Sequence, residues 1–178
     1  MRVGLLALQG AFIEHGQAFQ SAGHDVFEIR QLKDIQNPFD MLVLPGGEST
    51  VQRKLLVDLN LAQPLWNKID QGLKVYATCA GMILLAKTVD GQPNPLGRLD
   101  ICVTRNAYGR QLASFKAVEP LASYGRVPMT FIRAPKIVYA SDQVEILSRF
   151  DDAPTTIRQN NITAFSWHPE LNGKIYYQ

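Results

Sequence analysis

The thirteen-residue stretch Lys74-Val75-Tyr76-Ala77-Thr78-Cys79-Ala80-Gly81-Met82-Ile83-Leu84-Leu85-Ala86 constrains this chain more than any other. A short apolar strand passes through one cysteine into an apolar helix, and the residues at the joint are small. Such a nucleophile elbow lifts its central side chain clear of a sheet and tolerates only small neighbours, here Thr78, Ala80 and Gly81. Cys79 then lies at a helix N-terminus, where unpaired N–H groups and the positive end of the dipole favour a thiolate and can hold a developing oxyanion. The competing reading is a small buried cysteine at a strand end.

Upstream, the chain keeps alternating strand and helix. Residues 3–8 are near-continuously apolar, the pattern of a strand covered on both faces of a parallel sheet. Gln9, Gly10 and Ala11 turn the chain into a helix over 12–22, with Gly23 as its stop. A strand over 25–30, a connection over 33–39 and a short apolar strand over 41–44 follow. Pro45-Gly46-Gly47-Glu48-Ser49-Thr50 leads into a helix over 49–58. Adjacent glycines there permit φ > 0 and leave N–H groups open to a ligand, or simply make the connection. A further helix starts at Pro64 and ends near Gly72, ahead of the strand into Cys79. This alternation argues for an α/β fold, a parallel sheet with helices on both faces. Ligands bind such sheets at the carboxyl ends of the strands. Gln9, Gly47 and Cys79 each fall just past one.

Beyond Ala86 the texture changes to a turn-rich loop over 90–97 and then short strands over 99–104, 115–118, 127–132, 136–140, 144–147, 155–159 and 162–167, several of them antiparallel. Asn160-Asn161 suits a tight hairpin. With 178 residues, 46% of them hydrophobic, and neither repeat nor linker, a single domain over 1–178 is expected. Eighteen basic residues against sixteen acidic ones, without a block of like charge, give no reason to expect nucleic acid as a partner. The apolar start is cut short by Gln9, too early for a signal peptide, and no run approaches the roughly twenty apolar residues of a membrane span. A soluble, cytoplasmic protein is expected, with Cys79 and Cys102 as free thiols.

A cysteine nucleophile needs a base and a group that orients the base. His24 follows Gly23 in a loop and reads as solvated. His15, beside the apolar face of the first helix, reads as a structural histidine, because a base must reach the nucleophile. His168 lies at the end of a strand in Trp167-His168-Pro169-Glu170, where Pro169 bars a continuing ladder and forces a turn. The i, i+2 spacing suits a Glu170 carboxylate accepting from one imidazole nitrogen while the other faces a thiol. Cys79, His168 and Glu170 form a candidate triad in the chain order nucleophile, base, acid.

Gly46-Gly47-Glu48-Ser49-Thr50, Thr78-Cys79-Ala80-Gly81 and His168-Pro169-Glu170, in this order, resemble the class I glutamine amidotransferases. Leu8-Gln9-Gly10-Ala11, Arg105-Asn106-Ala107-Tyr108-Gly109-Arg110-Gln111, Phe131-Ile132-Arg133-Ala134-Pro135 and Ser166-Trp167-His168-Pro169-Glu170-Leu171 are similar to the glutaminase subunits of pyridoxal 5'-phosphate synthases. The resemblance covers essentially the whole chain. It implies a three-layer, flavodoxin-like α/β domain with a mostly parallel central sheet, helices on both faces and added antiparallel strands in the second half.

It also implies hydrolysis of L-glutamine to L-glutamate and ammonia, with neither cofactor nor metal. Cys79 would form a γ-glutamyl thioester, His168 would act as acid and then base, and Glu170 would hold its tautomer. Backbone N–H groups of Gly47 and Ala80 would form the oxyanion hole, with Gln9 a further candidate. The glutamine-binding positions carried over are Gly47, Glu48, Ser49, Arg105, Ile132 and Arg133. Charge agrees, since an α-carboxylate suits an arginine fork and an ammonium suits Glu48; the choice between the two arginines stays open. The implied partner is a separate barrel-shaped synthase, in a large hetero-oligomer. It would build pyridoxal 5'-phosphate from ribose 5-phosphate, glyceraldehyde 3-phosphate and the delivered ammonia, and would switch the glutaminase on by docking. Residues 9–15 resemble the docking and activation segment. Two alternatives keep the fold: a non-catalytic synthase-binding subunit, or a related elbow-cysteine hydrolase or stress protein. After Leu171 the family usually continues into a further helix, whereas seven residues remain here, too few for a stable helix of their own. That bears on the order around Glu170.

Overall fold

The computed structural model describes residues 1–108 and 114–177. Gly109, Arg110 and Gln111 of the quoted motif lie outside the described residues. Alternation of strand and helix builds the first half as β1 (Arg2–Leu6), α1 (Phe12–Ser21), β2 (Asp25–Ile29), β3 (Met41–Leu44), α2 (Ser49–Asp58), α3 (Ala62–Asp70), β4 (Lys74–Thr78) and α4 (Ala80–Leu85). The connection after β2 carries a 3-10 turn at Leu32–Gln36. The second half supplies β5 (Ala86–Val89), β6 (Gln92–Pro93), β7 (Leu99–Thr104), β8 (Ser114–Leu121), β9 (Gly125–Ile132), β10 (Lys136–Ala140), β11 (Glu145–Phe150), β12 (Ala153–Gln159) and β13 (Ile162–Phe165).

The central sheet has seven strands in the order β11-β12-β13-β4-β3-β1-β2. From β13 to β2 every pairing is parallel, and β11 and β12 extend the sheet antiparallel at one edge. Successive residues of the inner strands feed opposite faces, as a pleated strand requires. Leu6, Leu42, Leu44, Val75 and Ala77 join the core shared with α2, α3, α4 and β7, while Val3, Leu5, Met41, Val43 and Tyr76 join the core shared with Phe19 of α1 and Met129 and Phe131 of β9. This double burial is why the strands read as unbroken apolar runs.

The region after Cys79 departs from the sequence reading. The helix stops at Leu85, and a strand begins at once with Ala86, at ψ 136. The cause is Asn94, whose Nδ2 donates to the carbonyls of Leu84 at 2.9 Å and Ala86 at 2.8 Å and so satisfies the end of the helix from a distance. The loop expected over 90–97 therefore contains β6, paired back onto β5, and these strands with β7 and β10 form a separate four-stranded sheet. The Asn160-Asn161 hairpin forms as expected, joining β12 to β13 with Gln159 opposite Ile162 and Asn160 at φ 52. Cys79 and Cys102 are free. No helix among the described residues is long and apolar enough to cross a membrane.

The tail after Leu171 is anchored without a long helix. Pro169–Asn172 form a 3-10 turn, and Tyr176 is buried with its ring 5.6 Å from that of Trp167 and 5.2 Å from that of Tyr124.

Candidate active site

Because β1, β3, β4 and β13 run parallel, Gln9, Gly46 and Gly47, Cys79 and His168 all emerge at the same edge of the sheet. Cys79 has φ 46 and ψ −100, a conformation that L-residues avoid and that costs of the order of 1–3 kcal/mol. The surroundings hold it there. Its N–H donates to the Phe165 carbonyl at 2.7 Å, and Gly81 lets α4 close on β3, since a Cβ at 81 would lie 2.2 Å from the Leu44 carbonyl oxygen.

His168 arrives from the strand next to β4. Its N–H donates to the Thr130 carbonyl at 2.9 Å, and its Nδ1 lies 2.6 Å from Glu170 Oε1. Both side chains are buried. Burial works against a charge on the His168 ring, but hydrogen bonds to Cys79 and Glu170, reinforced by the Glu170 charge, outweigh it and push the pKa up to about 10. Glu170 is held below the usual carboxylate value: burial opposes its charge, and the His168 hydrogen bond with the two nearby histidines overcomes that cost. The structure thus brings the three triad candidates together, with an imidazolium paired to a carboxylate on one side and facing the Cys79 sulfur on the other.

A cleft of about 390 Å³ opens over this group. Cys79 and His168 line it together with Gln9, Gly47, Glu48 and Ser49, and Arg105, Ile132 and Arg133 line it as well, so every carried-over position except buried Ala80 and Glu170 faces one space. Gly47 sits at φ 156, with no room for a side chain: a Cβ there would come 2.5 Å from Gln9 Oε1. Gln9 is tied to this loop through its side chain, which accepts from the Glu48 N–H at 2.8 Å. Arg105 is fixed by Asp90, whose carboxylate accepts from its N–H at 2.8 Å and from its Nε at 2.6 Å. Arg133 has a left-handed backbone, φ 44.

Several residues of the site escaped the sequence reading. Ala11, Ile83 and Asn106 also line the cleft. Gln52, buried on α2, donates from Nε2 to the carbonyls of Gln9 at 2.9 Å and Pro45 at 3.2 Å, bracing the Gly-Gly loop from beneath. The buried side of α2 is Ser49, Gln52 and Leu56, so no apolar stripe existed in the sequence for the amide to interrupt. His15 is buried as expected but not remote from the site, its Nε2 lying 3.4 Å from Glu170 Oε2.

A family model described as the SNO glutamine amidotransferase family matches residues 5–177. Proteins named pyridoxal 5'-phosphate synthase subunit PdxT are 50% identical in Methanocorpusculum labreanum, over 96% of this chain and 90% of that one, and 49% identical in Desulfitobacterium hafniense, over 97% and 87%. A crystal structure of a glutamine amidotransferase is similar with a TM-score of 0.90 at 39% identity, covering 97% of this chain and 92% of its own. The structure of PurLQS from Thermotoga maritima shares the fold at a TM-score of 0.69 and 15% identity, over 95% and 87%. A match that runs from the first strand to the tail, made by a chain of the same architecture, settles its membership: the protein belongs to the SNO glutamine amidotransferase family.

Proposed function

We propose that residues 1–178 act as one glutaminase domain of a cytoplasmic pyridoxal 5'-phosphate synthase, releasing ammonia from L-glutamine for a partner synthase subunit. Supporting this are the PdxT names of relatives at 50% and 49% identity and, as the observation that carries it, the thiol of Cys79 against a His168 ring bonded to Glu170 at 2.6 Å.

In this reading the sulfur of Cys79, its proton already carried by the His168 imidazolium, attacks the side-chain amide carbon, forming a C–S bond and placing negative charge on the amide oxygen. Backbone N–H groups of Gly47 and Ala80 stabilise that charge because they are fixed before it develops. The C–N bond breaks as His168 protonates the departing ammonia. The ring, now neutral, then takes a proton from water as the water attacks the thioester, and cleavage of the C–S bond frees glutamate and leaves the sulfur again beside a protonated ring. Glu170 keeps the proton-bearing Nδ1 turned to itself, leaving Nε2 for the chemistry. Glu48 and one arginine at the cleft mouth hold the ammonium and carboxylate of the amino acid. In neutral water free ammonia is mostly captured as ammonium, which has no lone pair to attack with, so a shielded transfer to the partner follows from the chemistry.

The test is ammonia release from glutamine by the chain mixed with the synthase subunit. Turnover is expected to rise on mixing and to be abolished by Cys79→Ala; equal release by that variant overturns the reading.

A further inference from the structure

Helix α1 carries a buried imidazole to the far side of Glu170. The His15 ring is almost inaccessible, and its Nε2 lies 2.9 Å from Thr78 Oγ1 and 3.4 Å from Glu170 Oε2. Glu170 uses Oε1 for His168, while Oε2 is buried and, among the described residues, accepts no hydrogen bond. A buried carboxylate oxygen demands a donor, and His15 faces it. Burial holds His15 below its ordinary pKa against the opposing pull of Glu170, so the ring is neutral and has one N–H to give. That proton belongs on Nε2, because the other tautomer would turn a lone pair toward a carboxylate. Tyr76 stands edge-on beside the ring, at 79° between planes, and limits its rotation.

We propose that His15 is a positioning residue of the triad: its Nε2–H, shared with Thr78 Oγ1, serves the free oxygen of Glu170 and ties the carboxylate, and through it the His168 ring, to helix α1. The present 3.4 Å is long for a made bond, as contacts of this kind are before the reacting complex tightens them. The same helix begins just after the segment that grips the glycine loop, where Ala11 N–H donates to the Gly46 carbonyl at 2.9 Å and Gln9 holds Glu48. One element therefore holds both the loop and the acid, and a shift of α1 moves the two together. The kinetic consequence rests on the glutaminase reading given above.

The first measurement needs no variant: the nitrogen shifts of His15 in the labelled wild-type chain report its tautomer. The Nε2–H form is expected, and the Nδ1–H form overturns the proposal. His15→Leu is then expected to lower kcat for ammonia release in the complex with the synthase subunit ~10-fold, a cost suited to a loosened rather than deleted base, with KM for glutamine unchanged. It should also displace the low-field Nδ1 proton of His168 in the isolated chain. His15→Gln, whose amide can donate from the same place, should recover most of both. Wild-type kcat with an unmoved His168 proton in the leucine variant, or a glutamine variant no better than the leucine one, overturns the proposal. Should the wild-type complex release no ammonia, the glutaminase reading fails, while the tautomer and the low-field proton still decide the contact.

Discussion

A methyl group at position 46 would sit 2.6 Å from Cε1 of His168 and 3.5 Å from Cβ of Cys79. Gly46 is therefore the spacer that lets the imidazole reach the sulfur. Gly46→Ala is expected to displace the ring and reduce kcat for glutamine hydrolysis about 100-fold, the cost of misplacing a reacting group by around an ångström, while circular dichroism and the thermal midpoint stay near wild type. Wild-type turnover in that variant would mean that the ring has another resting place. At this scale His168 and Glu170 were legible because Pro169 dictates a bend, and Cys79 because only small residues flank it. The role of Gly46 was not, since the group it makes room for comes from the far end of the chain. His15 shows the same limit. Its burial could be read from helical spacing, whereas its approach to Glu170 depends on how α1 lies against the last turn.

At the scale of elements, the short α4 is held at its end from outside. Asn94 Nδ2 bonds two carbonyls, those of Leu84 and Ala86, and its Oδ1 accepts from the Leu96 N–H at 3.2 Å. Asn94→Ala strands these groups, and a loss of about 1–3 kcal/mol is expected from the unmet carbonyls. Urea denaturation should show the midpoint falling with an unchanged slope. An unchanged midpoint would show that water replaces the side chain without cost. This device also explains why the sequence reading carried the helix one residue too far and saw only a loop over 90–97. A six-residue apolar helix has the same local pattern whether or not it continues, and what stops it lies in a turn that local propensity treats as irregular. The inner parallel strands, by contrast, announced themselves, because burial on both faces leaves no polar residue to confuse the pattern.

Across the whole molecule, the buried histidines and Glu170 set a pH window. His168 has a folded pKa raised from 6.5 to about 10, so its contribution is complete below 6.5 and is lost as pH rises toward 10. Glu170 and His15 are lowered from 4.5 and 6.5, so their contributions are complete above those values and are lost as pH falls through the folded ones. The thermal midpoint is expected to peak near pH 6.5, falling first through His15 and then Glu170 on the acid side and through His168 on the alkaline side. Glu170→Gln should flatten the alkaline limb, because the glutamine no longer favours charge on His168. A profile level across about pH 5 to pH 10 would remove this linkage. The alternation of the first half made the parallel sheet legible. The seating of β13 beside β4 was not, because nothing in a short strand's own residues names its neighbour.

That seating separates two jobs. The sulfur and the imidazole are anchored by adjoining strands whose register the sheet fixes, from Ile162 opposite Val75 to Phe165 opposite Thr78. Arg105, Ile132 and Arg133 belong instead to the long excursion the chain makes between those two strands. Under the proposed reaction, scissors and much of the glove are cut from different cloth: apart from the Glu48 loop, the part that would grip a guest can be retailored while the cutting edges stay where they are.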